Sequence, residues 1–157
     1  MKKLQLILSL IFVISLAWVN AQSPVKAVIK LKDGKTVEAY HFGKLKCESN
    51  SYASTFTILK GKFHGSFTEI NNYKDISRLE LSGFTAAPVP SVGNQKATIT
   101  VIKKDGVTAT LEEAEFVMSC YNPSDKYNEV HVQLVNPLTN QKTNLAIPMK
   151  DIVSISF

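Results

Sequence analysis

The chain has little of what most enzyme chemistry requires. Among its 157 residues are three histidines, two cysteines, one tryptophan and a single arginine, Arg78. His41, His64 and His131 stand far apart, and none has a histidine or cysteine at a recognised ligand spacing. No His-Glu-x-x-His and no paired Cys-x-x-Cys occurs, so the common zinc motifs are missing. There is no Gly-x-Ser-x-Gly elbow and no glycine loop of the kind that cradles phosphate. No catalytic residue, metal ligand or cofactor is therefore assigned. The near absence of arginine also argues against nucleic-acid binding, because lysine lacks the planar fork that reads bases and grips phosphates bidentately.

Long apolar runs are scarce as well. The one present, 4–18, follows Lys2 and Lys3 and leads to Val19-Asn20-Ala21. A basic start, an apolar run shorter than the ~20 residues of a membrane span, and a small residue at its end mark a secretory signal peptide. Cleavage is expected after Ala21, leaving no transmembrane anchor. The first cysteine, Cys47, lies too far on for a lipid anchor at the new N-terminus. The predicted location is periplasmic or extracellular. Beyond the cleavage point, 22–84 carries ten basic and six acidic residues while 85–157 carries six and seven, so the positive surplus belongs to the first part.

What the chain has is repetition. Lys26-Ala27 matches Lys96-Ala97, Asp33-Gly34 matches Asp105-Gly106, Cys47 matches Cys120, and Lys74-Asp75-Ile76 matches Lys150-Asp151-Ile152. The landmarks keep their order while the offset grows slowly, which reads as two copies of a unit of about sixty residues. The copies are 22–84 and 96–157, joined by a linker, 85–95, rich in proline and small residues.

Within each copy the pattern has period two. Ala27, Ile29 and Leu31 alternate with Val28, Lys30 and Lys32, and 97–102 behaves alike, so both are half-buried strands. Each Asp-Gly pair predicts a tight hairpin, because glycine accepts positive φ. A second hairpin is expected around Lys60-Gly61 in the first copy and around Pro137-Leu138-Thr139-Asn140 in the second. Asp75 and Asp151 are read as turn caps leading into the last strand of each copy. The stretch 110–118 is rich in helix formers, and a strand is preferred there over a helical turn.

Five short strands, an Asp-Gly hairpin first and a tight turn before the last resemble the small SH3-like or Sm-like barrel. The fold expected is all-β, two tandem five-stranded barrels packed together; the alternative is a single ten-stranded β-sandwich. The resemblance implies binding of peptides, cell-wall components or RNA, or a role as an assembly joint. The motifs of the peptide- and RNA-binding versions have no counterpart here, and fold alone does not settle function.

Candidate binding residues are then few. Lys30, Lys32, Lys35, Lys44 and Lys46 form either a face toward an acidic partner or a solvated surface that protects strand edges. Tyr52, Tyr121 and Tyr127 combine apolar area with a hydroxyl, as recognition loops do. Phe42, Phe56, Phe63 and Phe67 are read chiefly as core. Cys47 and Cys120 are either two buried thiols or a disulfide closing about seventy residues, worth roughly 4 kcal/mol on the chain-entropy account. The expected function is a non-catalytic module of the cell envelope that recognises a protein or wall component. The alternative is a small hydrolase or ligand carrier with its site between the copies.

Overall fold

The computed structural model describes residues 25–42, 44–47, 50–85, 95–119 and 126–157, with the backbone alone given for 44–47, 50–56, 118–119 and 126–127. The expected signal segment, most of the linker, Cys120 and Tyr121 lie outside the described residues.

Period two does what strand geometry dictates. In β1 (Val25–Leu31), Ala27 and Ile29 are buried while Lys26, Val28 and Lys30 face solvent. The turn that follows is closed by the Leu31 N–H donating to the Lys35 carbonyl at 2.9 Å, and Gly34 sits at φ +86°, where a Cβ is unfavourable. The chain returns as β2 (Thr36–Phe42) and continues through β3 (Lys44–Cys47), β4 (Asn50–Phe63), β5 (Ser66–Ile70) and β6 (Ile76–Ser82). Then come β7 (Ala97–Lys103), β8 (Thr108–Ser119), β9 (Lys126–Tyr127), β10 (Glu129–Val135), β11 (Lys142–Pro148), a 3-10 turn at Met149–Asp151, and β12 (Ile152–Ser156). The protein is all-β. Among the described residues no helix is long and apolar enough to cross a membrane.

Two local expectations need correction or completion. The chain does not turn at Lys60-Gly61, because β4 runs straight through it. The turn is at His64-Gly65, with φ of +48° and +80°, the mirror-image conformation that suits the twist of a two-residue hairpin. Gly61 serves packing instead: a Cβ there would lie 2.9 Å from the Leu111 Cβ and 3.1 Å from the Ala114 Cβ. The helix formers of 110–118 are strand, since β8 is held between β4 and β7, and tertiary pairing overrides local propensity.

All pairings are antiparallel, and the strands follow one path: β11-β10-β2-β1-β12-β6-β7-β8-β4-β3, with β5 beside β4 and β9 beside β8. Among the described residues the sheet does not close on itself. The path does not resolve into two separately closed barrels; of the alternative, a single ten-stranded β-sandwich, the single sheet fits. The reason lies in which strands pair. β2 pairs with β10 and β4 pairs with β8, so ladders run between 22–84 and 96–157 instead of staying within each.

The result is a terminal half, ordered β11-β10-β2-β1-β12, and a central half, ordered β5-β4-β8-β7-β6. They join along β6 and β12, where Leu79 lies opposite Ile155, Arg78 opposite Ser156 and Glu80 opposite Ser154. The registers on either side correspond. Ile29 faces Ile155 as Val101 faces Leu79, and Leu31 faces Ile152 as Lys103 faces Ile76. The Lys32 N–H donates to the Asp151 carbonyl and the Lys104 N–H to the Asp75 carbonyl, both at 2.9 Å. An approximate two-fold axis therefore passes between Leu79 and Ile155, both fully buried.

One continuous core runs beneath the path, including Ile29, Leu59, Leu79, Ile99, Phe116, Val132 and Ile155. Across the junction, Tyr73 from the turn before β6 meets Phe42 of β2 edge-on at 4.9 Å and stacks on Phe157 at 5.3 Å. Its hydroxyl donates to the Thr57 carbonyl at 2.9 Å, the partner a buried phenol requires.

Candidate binding groove

A concavity in the central half lies between the β4–β5 hairpin and the β7–β8 hairpin. It is a groove of about 210 Å³ with an almost wholly apolar lining. Phe63, Thr68 and Ile70 form one wall, and Val101, Val107, Ala109 and Leu111 the other, with Lys103 the sole charged lining residue. At the mouth Phe63 is 40% and Val107 55% exposed, and Phe67, on the opposite face of β5, is 84% exposed. Phe63 and Val107, exposed apolar groups beside a groove, are what a recognition surface offers.

The terminal half supplies an internal comparison. By the shared register of β1 with β2 and of β7 with β8, Leu31 corresponds to Lys103 and Val37 to Ala109. In the second hairpins, Ile147 faces Val130 and, two residues on, Leu145 faces Val132; Ile70 faces Leu59 and, two on, Thr68 faces Gly61. Leu31, Val37, Leu134 and Leu145 all pack onto the core. At the first, second and fourth of these places the central half has Lys103, Ala109 and Thr68. Leu111, where the terminal half has Ala39, takes back part of the space by lying against Gly61.

Ion pairs lie on both faces of the hairpins. On the face of β4 and β5 away from the groove Lys60 meets Glu69 at 2.9 Å and Lys62 meets Glu113 at 2.9 Å, whereas Lys103, in the lining, meets Asp105 at 3.2 Å. Lys62 also lies over the Phe67 ring, 5.8 Å from its centroid. The Val107 N–H donates to the Asp105 carboxylate at 3.1 Å. That bond first, and Lys103 second, hold the Asp105 carboxyl below its ordinary value. Asp33 is lowered likewise by Lys35. Lys96 pairs with Glu115, whose other carboxylate oxygen is buried without a partner.

The residues singled out from sequence are dispersed. Lys30 is exposed on β1, Lys35 pairs with Asp33 at 2.9 Å, and Lys32 lies over the Phe84 ring at 4.2 Å. Lys44 and Lys46 belong to β3, at the other end of the strand path, so the five lysines are not gathered on one strand pair. The side chains of Lys44, Lys46, Cys47, Tyr52 and Tyr127 lie outside the described residues, as do Cys120 and Tyr121 entirely. Asn72, not Asp75, caps the turn before β6, accepting from the Lys74 N–H at 3.1 Å. Of the phenylalanines read as core, Phe42 is buried, whereas Phe63 and Phe67 are exposed. His64 sits in a turn with its ring edge-on to Phe63, and His131 is bonded to Glu129 at 3.0 Å. No cluster of described residues could hold a metal ion. The groove itself escaped the sequence reading, although setting Leu31-x-Asp-Gly against Lys103-x-Asp-Gly exposes the loss of an apolar residue.

Comparison with protein-family models, curated proteins and solved structures found no match to this chain.

Proposed function

We propose that the protein is a non-catalytic binding or assembly module, exported to the cell envelope, that recognises another protein through the groove of its central half. The observation that carries this reading is the apolar groove with Phe63 and Val107 exposed at its mouth. Hydrophobic groups held in water beside a concavity gain from being covered, at about 25 cal/mol per Å². The lining also bears on the alternative of a hydrolase or carrier: it is apolar apart from Lys103, whose ammonium is already met by Asp105 at 3.2 Å. The related registers on either side of Leu79 and Ile155 support a duplicated origin, with one copy's surface left free to diverge. Lys30, Lys32 and Lys35 would add a salt-sensitive contribution from the terminal half.

The test is capture of cross-linked partners by the tagged protein from its native envelope, read by mass spectrometry for protein and for attached glycan, beside a Val107→Lys variant. Lysine is what the corresponding position, Lys35, already carries, so the turn is preserved. A stoichiometric protein partner retained by the parent and lost by the variant is expected. Equal capture by both, or glycan alone, would refute recognition of a protein through the groove.

A further inference from the structure

Resting on the binding reading above, we infer that the central half takes an extended peptide segment along the outer edge of β5 and seats one large aliphatic or aromatic side chain in the groove. Three observations converge on this occupant.

The first is the edge. Among the described residues β5 pairs with β4 alone, in unbroken register from Leu59↔Ile70 to Phe63↔Ser66. An edge strand with its outer N–H and C=O groups unpaired is a template for another strand unless it is blunted by proline, lysine or a bulge. β5 reads Ser-Phe-Thr-Glu-Ile and has none of these; its one charge, Glu69, is met by Lys60 at 2.9 Å. The corresponding strand of the terminal half, β11, also pairs with a single neighbour but begins at Lys142 and ends at Pro148.

The second is continuity between edge and groove. Thr68 and Ile70 are both residues of β5 and wall of the groove. Side chains alternate along a strand, so a segment added beside β5 would send every second residue over the groove and the others toward Phe67 and Lys62. This gives the exposed Phe67 ring a role as a cross-strand partner on the outer face.

The third is volume. Small-molecule sites run to roughly 300–1,000 Å³, and a groove of about 210 Å³ is smaller than that. It suits a single anchoring side chain of the kind that dominates interfaces. In the terminal half, Leu31, Val37 and Leu145 already fill the equivalent space. The recognised sequence is therefore an extended segment with one apolar anchor directed inward, its backbone supplying the remaining bonds.

The experiment pans a random dodecapeptide phage library on the mature protein and measures selected peptides by fluorescence anisotropy. Each peptide is then N-methylated one residue at a time, and the protein is filled with its own other half's residues, Thr68→Leu with Ala109→Val. Groove filling is expected to weaken binding roughly 10- to 100-fold, the worth of one buried large side chain. N-methylation should weaken it at every second residue. Val107→Lys, a surface change, serves if the filled variant fails to fold. Loss on filling with no alternation in the N-methyl series would overturn strand addition and leave the binding module standing. Failure to select any peptide, or indifference of the selected peptides to filling, would overturn both. A concentration-dependent dimer that excludes the peptides would assign the β5 edge to a second copy, and saturable decanoate binding with no peptide selected would make the groove an acyl site; either result overturns the proposal.

Discussion

If β6 and β12 couple the two halves, replacing Leu79 by alanine should weaken the whole molecule at once. Leu79 is fully buried, faces Ile155 across the junction and Val101 on its other side. The substitution removes three carbons, about 2.4 kcal/mol at ~0.8 per methylene. The space left behind adds to this, because strands paired on both sides cannot collapse inward freely, bringing the loss to about 3–4 kcal/mol. For a chain of this size that lowers the melting temperature by roughly 12–16 °C. The only tryptophan, Trp18, lies in the expected signal segment, so the assay follows urea unfolding by far-ultraviolet circular dichroism and by the near-ultraviolet signal of the tyrosines. Tyr73 is packed between Phe42 and Phe157 at the junction, so the second probe reports the contact between halves. Coincident curves shifted together are expected, as in two-state unfolding. A loss below about 1 kcal/mol, or two separated transitions, would refute the coupling.

Three further outcomes follow from the same geometry. Burial raises the Tyr73 phenol above its usual 10.0; a raised native value means that its contribution is present below the unfolded value and is lost as pH rises beyond it. Stability should thus fall above about pH 10, and Tyr73→Phe should flatten that fall while costing about 1 kcal/mol at neutral pH for the lost bond to Thr57; an unchanged alkaline slope contradicts the assignment. Gly34→Ala and Gly106→Ala meet no neighbouring atom within 4 Å but hold φ of +86° and +87°, so each should cost about 1–2 kcal/mol and the two should agree; unequal losses in denaturation midpoints would show that the turns are not equivalent. Gly61→Ala should cost about 1–3 kcal/mol by overpacking against the Leu111 Cβ, and a double-mutant cycle with Leu111→Gly, which removes that atom, should recover part of it; additive losses would mean that the contact is not the cause.

Much of the local structure is legible from residue order alone. Alternation in 27–31 and 97–101, glycine after aspartate at 33–34 and 105–106, and the recurrence of Lys-Asp-Ile before an apolar strand are all consequences of short-range chemistry. Even the misplaced turn had its signal, since Gly65 lies four residues beyond Gly61 in the same stretch, and only the approach of Leu111 decides which glycine turns and which packs.

Partner choice among strands belongs to the tertiary structure. A period of two tells which side chains face inward, but it is the same whether β2 pairs with β4 or with β10. Closing a longer loop adds little entropy cost, so long-range ladders compete on equal terms with local ones. The choice then falls to how well side chains fit on both sides, and here it interleaves strands of 22–84 with strands of 96–157. The groove is a product of that choice. Phe63, Val107 and Ala109 are ordinary strand and turn residues along the chain; they line one groove because hairpins separated by some forty residues are brought together, and because the other hairpin pair supplies larger side chains where these are small.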